Sequence, residues 1–221
     1  MTHASRPATI LFADLCGFTA LTETHGDDDA ADIVARLCRL TQAALAGDAR
    51  LAKSIGDAVM VVAGEPASAI TTVFQLAAAV QAEPGFPALR AGLHAGPVVE
   101  RDGDYFGATV NVAARVAAYA RSDQILCTEA VADAVRPLAI AGVTGLGEVW
   151  LKNVSHPVKL FTLEDSRRAD AAAEFDPVCR MRLDLERALA RLPYGGRVYH
   201  FCSFNCAQRF AQTPEAYIPT K

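Results

Sequence analysis

The sequence has no apolar run long enough to cross a bilayer. Its most apolar stretch, residues 67–82, is interrupted by Ser68, Thr71, Thr72, Gln75 and Gln81, whereas a span needs about 20 consecutive apolar residues. Ahead of Asp14 only residues 10–13 are continuously apolar, too few for a secretory signal core. A soluble cytoplasmic protein with no membrane contact is expected. Positive charge is also short: 21 Lys and Arg face 25 Asp and Glu, for a formal net charge of −4. That balance excludes a protein that grips nucleic-acid backbone, yet permits a nucleotide bound through metal ions. Internal repeats are missing, and so are low-complexity tracts beyond a general richness in Ala. With 52% hydrophobic and 21% charged residues, the composition excludes global disorder.

Six cysteines are present. Cys16, Cys38 and Cys127 are scattered through apolar segments and read as small core residues. Cys179, Cys202 and Cys206 crowd towards the C-terminus. In a reducing compartment such a cluster points to a metal site before a disulfide. Composition divides the chain in the same region. Residues 1–164 carry a long apolar-patterned unit. Residues 165–174 (DSRRADAAAE) hold no large apolar side chain and read as a linker. Residues 175–221 form a compact unit rich in Cys and aromatics.

In the larger unit, residues 8–14 are an apolar run ending in an acid, a buried strand. Residues 30–45 place Ile33, Leu37, Leu40 and Ala44 at helical spacing. Residues 50–55 and 58–63 flank Gly56-Asp57, a hairpin signal. A second helix is expected at 67–82, strands at 89–94 and 97–100, and a third helix at 107–120. A strand at 124–128 and a short helix at 129–135 follow, and strands at 150–151 and 158–163 close the unit. The order β-α-β-β-α-β predicts an α+β fold of ferredoxin-like type, an antiparallel sheet with helices on one face.

Four constellations carry chemistry. In FADLCGFT, Asp14 ends a strand and Gly17 opens a turn, so a carboxylate can hold a hard cation while turn amides face an anion. In KSIGDAV, Asp57 sits at the hairpin tip beside the end of that strand. Two carboxylates converging there call for metal between them. GDYFG exposes Asp104 on a loop. In NVAAR, Asn111 and Arg115 lie four residues apart and share a helix face.

With GLHAGPV and GDYFGATVNVAARV, these segments resemble the class III nucleotidyl cyclase catalytic domain over about residues 7–164. The resemblance implies that Asp14 and Asp57 bind two Mg²⁺ or Mn²⁺ ions. It implies that Lys53 and Asp104 read the base, and that Asn111 and Arg115 orient the ribose and stabilise the transition state. All six positions hold the residue types of the adenylate-specific members, which implies an active enzyme using ATP, assembled as a head-to-tail homodimer. Phe12, Leu15, Cys16, Gly17 and Phe18 are expected to contact substrate, with turn amides from Leu15 to Phe18 cradling the β- and γ-phosphates. Lysine has only donors and ionised aspartate only acceptors, so the pair complements N1 and N6 of adenine and opposes guanine. His94 is expected to be structural. His3, His25 and His156 receive no role.

In the smaller unit, DPVCRM and YHFCSFNC resemble the YHS domain, a short metal-binding module, over about residues 175–218. Arg180 stands where that family usually has Gly. A unit this small has little core and is often held by a metal. Cys179, Cys202 and Cys206 supply three thiolates. Met181 and His200 each lie two residues from a Cys and are the candidate further ligands. Such a soft donor set suits one Cu⁺ or Zn²⁺. The reading that follows is an adenylate cyclase whose regulation involves the small metal module. A metal-responsive, nucleotide-binding regulator without turnover is the alternative, and a metallochaperone with a passenger domain is a third reading.

Overall fold

The computed structural model describes residues 5–165 and 174–218. Apart from its two ends, the linker expected at 165–174 lies outside the described residues. The chain begins with β1 (Arg6–Leu15), followed by α1 (Phe18–His25) and α2 (Asp27–Ala43). A hairpin of β2 (Arg50–Ile55) and β3 (Ala58–Ala63) leads to α3 (Pro66–Ala82) and the long β4 (Leu89–Arg101). Then come β5 (Asp104–Phe106), α4 (Ala108–Tyr119), β6 (Ile125–Thr128), α5 (Glu129–Val135), β7 (Gly142–Val149) and β8 (Val158–Glu164). The small unit holds β9 (Glu174–Phe175), β10 (Arg182–Leu183), β11 (Ala190–Tyr194), β12 (Arg197–Phe201) and α6 (Phe204–Gln212).

The main sheet runs β2-β3-β1-β4-β6-β8-β7, with β5 paired to β4. Its first four strands have the ferredoxin-like order, with β1 central and antiparallel to both β3 and β4. The unbroken apolar run of β1 follows from that position, because both of its faces are covered. Leu11, Ala13 and Leu15 point with Val59, Val61 and Ala63 into one core, against α2, α3 and α5. Ile10 and Phe12 point with Met60 and Val62 into a second core, closed by Ala113 and Ala117 of α4. Helices therefore cover both faces, not one as the strand order alone suggested. The β-α-β-β-α-β order accounts for only two of them, and α4 returns across the opposite face. Gly92 makes that crossing possible: a Cβ there would lie 2.1 Å from the Ala117 nitrogen.

Two further expectations change. The strands at 89–94 and 97–100 are one continuous β4. Residues 150–151 lie outside the strands, and the edge strand is the glycine-containing β7, bulged between Gly145 and Gly147.

The small unit is not separate. Val178, Cys179, Phe201, Cys206, Ala207 and Phe210 share one buried cluster with Leu21 of α1 and Ala30 of α2. Main-chain bonds join the units as well: the Ala88 amide donates to the Arg180 carbonyl at 3.0 Å, and the Arg182 amide to the Phe86 carbonyl at 3.1 Å. A unit with so little core of its own gains buried apolar area from the α1–α2 surface.

Candidate active site and metal centre

The β1/β3 register sets Asp14 opposite Ala58, one residue beyond the hairpin tip. The Leu15 amide donates to the Asp57 carbonyl at 3.3 Å, which fastens the tip to the strand end. Asp57 and Asp14 thus come together as expected. Burial, and then the neighbouring Asp14 carboxylate, push the Asp57 carboxyl above the ordinary range. Two oxygen-only groups so placed fit a hard divalent cation. Sequence reasoning missed Arg90. It lies directly across the β1/β4 ladder from Asp14, and its Nε and Nη2 both donate to Asp14 Oδ2, at 2.8 and 2.5 Å. Cross-strand position was the signal: an Arg at the strand end facing the acid.

Lys53 and Asp104 also meet. Lys53 Nζ lies 2.6 and 2.7 Å from the two Asp104 oxygens, and both side chains are about one-third exposed. A register shift between Leu51 and Lys53 re-aims β2 at this point, a usual effect of a bulge. The Tyr105 amide donates to Asp104 Oδ1 at 2.7 Å and fixes the carboxylate. The Lys53 ammonium holds that carboxyl below its ordinary range. Asn111 and Arg115 stand on the exposed face of α4, while Ala113, Val116 and Ala117 face the sheet.

The turn after β1 differs from the expectation that its amides, from Leu15 to Phe18, face phosphate. Leu15 is 1% exposed and Phe12 7% exposed, so their side chains are core and face no substrate. The Leu15 amide is taken by Asp57, and the Cys16 amide donates to the Ala88 carbonyl at 2.8 Å. Neither amide is available for phosphate. Burial pushes the Cys16 thiol above its ordinary range. The turn instead opens α1, which the sequence reading had not placed. Gly17 caps it at φ 72°, and the first-turn amides of Phe18, Thr19 and Ala20 have no intrahelical acceptor. The small unit leans on this turn, because a Cβ on Gly17 would lie 2.7 Å from Arg180 Cγ and 3.1 Å from the Cys179 carbonyl oxygen. Arg180 adopts φ 60°, the conformation that explains the glycine usual there, and donates from Nη2 to Ser122 Oγ at 3.2 Å.

The second cluster lies close by. Cys179, Cys202 and Cys206 are free thiols, with Sγ separations of 3.4 Å (179–202) and 3.7 Å (202–206). The fourth donor in reach is His25, whose Nε2 is 3.5 Å from Cys202 Sγ. All four donor atoms lie within 4.8 Å of one another. His200 is not among them; it sits opposite Arg191 in the β11/β12 ladder, between Tyr199 and Phe201, which pack in the buried cluster that holds Cys179 and Cys206. Met181 lines a groove beside Ile33, Arg36 and Phe86 and also packs against that buried cluster. The histidine that joins the three thiols is His25, distant in the sequence, and not His200. Cys206 sits in the first turn of α6, capped by Ser203, whose Oγ accepts from the Cys206 amide at 3.1 Å. Hydrogen bonds from the other two thiols pull the Cys206 thiol below its ordinary range, while Cys179 and Cys202 are raised. Its place in the first turn of α6 sets Cys206 at the positive end of that helix. Asp176, fully buried, holds the two cysteine loops together, accepting from the amides of Val178 at 2.8 Å, Cys179 at 3.3 Å and Cys202 at 2.8 Å. The donor set fits a soft or borderline cation.

The sheet order, the hairpin carboxylates and the Lys–Asp pair define the architecture of a nucleotide cyclase domain. The chain belongs to the family described as the adenylate and guanylate cyclase catalytic domain, which it matches over residues 2–165, and it matches the YHS domain over residues 175–221. It is 40% identical over 131 residues to a pH-sensitive adenylate cyclase of Mycobacterium tuberculosis, covering 59% of this chain and 33% of that protein. Across the first curated relatives it matches, the chain spans between 33% and 44% of their length. A structure described as an adenylate/guanylate cyclase/hydrolase from Silicibacter pomeroyi is 26% identical, with a TM-score of 0.65, covering 75% of this chain and 100% of that one. A 57-residue stretch, 26% of this chain, is 42% identical to part of a copper-transporting P-type ATPase of Rhizobium leguminosarum, covering 7% of that protein. No described helix is long and apolar enough to cross a membrane.

Proposed function

We propose that the protein is an adenylate cyclase that converts ATP to 3′,5′-cyclic AMP and pyrophosphate at sites shared between two copies of the chain. The observation that carries the reading is the Lys53–Asp104 pair, held in one place by a bulge and a backbone amide and still reachable from solvent. The ammonium donates to adenine N1 and the carboxylate accepts from the N6 amino group. Guanine reverses the pattern at both atoms and leaves each group mispaired, at about 1–3 kcal/mol apiece.

Two Mg²⁺ or Mn²⁺ ions held by Asp14 and Asp57 would lower the pKa of the ribose 3′-hydroxyl and clamp the triphosphate. Arg90 keeps Asp14 oriented across the ladder through Oδ2. The first-turn amides of α1 are positioned to take phosphate oxygens. The 3′-oxygen attacks the α-phosphorus, the bond from that phosphorus to the bridging oxygen of pyrophosphate breaks, and the hydroxyl proton passes to solvent. Arg115 offsets the charge on the transferring phosphoryl, and Asn111 orients the ribose. Both stand exposed on α4, as groups that serve a partner's site must.

The test is turnover by the purified full chain with Mn²⁺ and either ATP or GTP, the products separated by chromatography. Cyclic AMP from ATP, with GTP at least tenfold poorer, is expected. Equal or better use of GTP would overturn the base assignment. Nucleotide binding with no cyclic product would favour the regulator without turnover.

A further inference from the structure

We propose that His25, a residue of the cyclase unit, is the fourth ligand of a tetrahedral zinc-type site whose other three ligands, Cys179, Cys202 and Cys206, belong to the C-terminal unit. The cation would bind at the seam and tie the two units together. The inference stands apart from the cyclase reading and needs no turnover to be true.

The geometry is the first argument. A tetrahedral ion with bonds of about 2.3 Å to sulfur and about 2.0 Å to nitrogen separates two sulfurs by about 3.8 Å and a sulfur from the nitrogen by about 3.5 Å. The observed edges are 3.4 and 3.7 Å between sulfurs, and 3.5 Å from Cys202 Sγ to His25 Nε2. These separations are far beyond the length of about 2.05 Å of a disulfide. The second argument is that His25 is held in place by more than the cluster. Gly26, at φ 97°, ends α1 immediately after it, and the Gly26 amide donates to the Thr22 carbonyl. Asn205 Nδ2 donates to the Thr24 carbonyl at 3.0 Å, and Arg209 Nη1 lies 2.6 Å from Glu23 Oε2. Leu21, on the same helix, is buried in the core shared with Phe201, Cys206 and Phe210. The last turn of α1 is thus docked on α6, with its imidazole aimed at the thiols.

The site has a mechanical consequence. Cys179 gives its thiol to the cluster while its carbonyl oxygen packs at Gly17. A cation bound there holds α1 at its C-terminal end through His25 and at its N-terminal turn through the Cys179 loop. Helix α1 has eight residues, about 12 Å at 1.5 Å per residue, so the whole element is clamped.

The test uses the full chain, stripped of metal under reducing conditions. Zn²⁺ is titrated against a chromophoric chelator, and Co²⁺ serves as the spectroscopic probe. Wild type should bind about one ion per chain, with the visible bands of tetrahedral Co²⁺ and a thiolate charge-transfer band for three sulfurs. His25→Ala should bind Zn²⁺ about a hundredfold more weakly. His25→Cys should keep one ion and raise the charge-transfer intensity by about a third, from three thiolates to four. His200→Ala should leave affinity and spectrum unchanged. The proposal is overturned if wild type binds no ion, if His25→Cys leaves the charge-transfer band as it was, or if loss follows His200→Ala instead. Should His25→Ala fail to fold, the His25→Cys spectrum alone decides.

Discussion

If each active site is built from two chains, two inactive variants should restore one another. The perturbations are Asp14→Ala, which removes the acid that Arg90 orients, and Arg115→Ala, which removes an exposed cation of α4. Asp14 ends β1 on the same side as Ile10 and Phe12, the side that α4 covers. Yet Arg115 turns away from that core, on the outer surface of its helix. A second copy must bring its α4 towards the hairpin for the two groups to meet. Each variant alone should be nearly inactive, because both sites of its homodimer lack the same residue. In an equal mixture with free exchange, about half of the dimers are mixed, and each mixed dimer has one site with every residue intact and one with both defects. One site in four is then whole, so activity should reach about a quarter of that of wild type at the same total chain concentration. The assay is cyclic nucleotide formed per minute after mixing, with exchange confirmed by mass labelling of one variant. If both variants are folded and exchanging and the mixture stays as inactive as its parents, the shared-site reasoning is wrong.

Two other perturbations probe the scaffold. Gly92→Ala places a methyl group where α4 crosses β4, with the Ala117 nitrogen 2.1 Å and Cα 2.6 Å away. Thermal melting should show destabilisation of about 2–3 kcal/mol, and an unchanged midpoint would mean that the crossing is looser than it looks. His94 concerns pH. Burial pushes its imidazole below the ordinary range, and its Nδ1 lies 2.7 Å from Thr128 Oγ1. The unfolded chain takes up a proton near pH 6.5 while the folded one resists, so stability should fall as pH drops below about 6.5. Denaturant midpoints between about pH 7 and pH 5 should fall less steeply in His94→Gln, and parallel slopes would remove His94 as the cause.

What could be read from the sequence was whatever a short stretch of chain encodes by itself. The apolar run of β1, the period of α2 and the Gly-Asp tip of the β2/β3 hairpin each carry their signal within a dozen residues, and the structure has all three. The convergence of Asp14 and Asp57 was legible for the same reason: each sits at the end or turn of a locally defined element, and the ferredoxin-like order brings those ends together. The meeting of Lys53 with Asp104 was implied only by the family resemblance. Helix α1 was not legible. Its eight residues have no side-chain N-cap and no acidic first turn, and Leu21 is its one buried residue. A helix this short is marginal on propensity alone, and this one is held by packing, Leu21 in the core shared with the small unit and Phe18 also against the main core. Strand β7 was missed because Gly142, Gly145 and Gly147 and a bulge erase the alternation that marks a strand.

The metal centre extends the same argument. Its three cysteines lie within 28 residues of one another and announce themselves by spacing, but His25 is 177 residues from Cys202. No spacing rule reaches that far. His200, two residues from a cysteine, was the better candidate in one dimension, yet it is not among the four donors that lie together. Reading the chain as two units joined by a linker hid the same contact. A linker implies independence, whereas the buried faces of Cys179, Phe201 and Phe210 require a partner surface that the small unit lacks. The α1–α2 surface supplies it. Once α1 is a helix, its last turn is the part of the cyclase unit that meets the thiols, and the residue there is a histidine. Packing therefore comes before ligation in the logic of this site. The apolar seam sets the position of α1, and the position of α1 decides which imidazole completes the cluster.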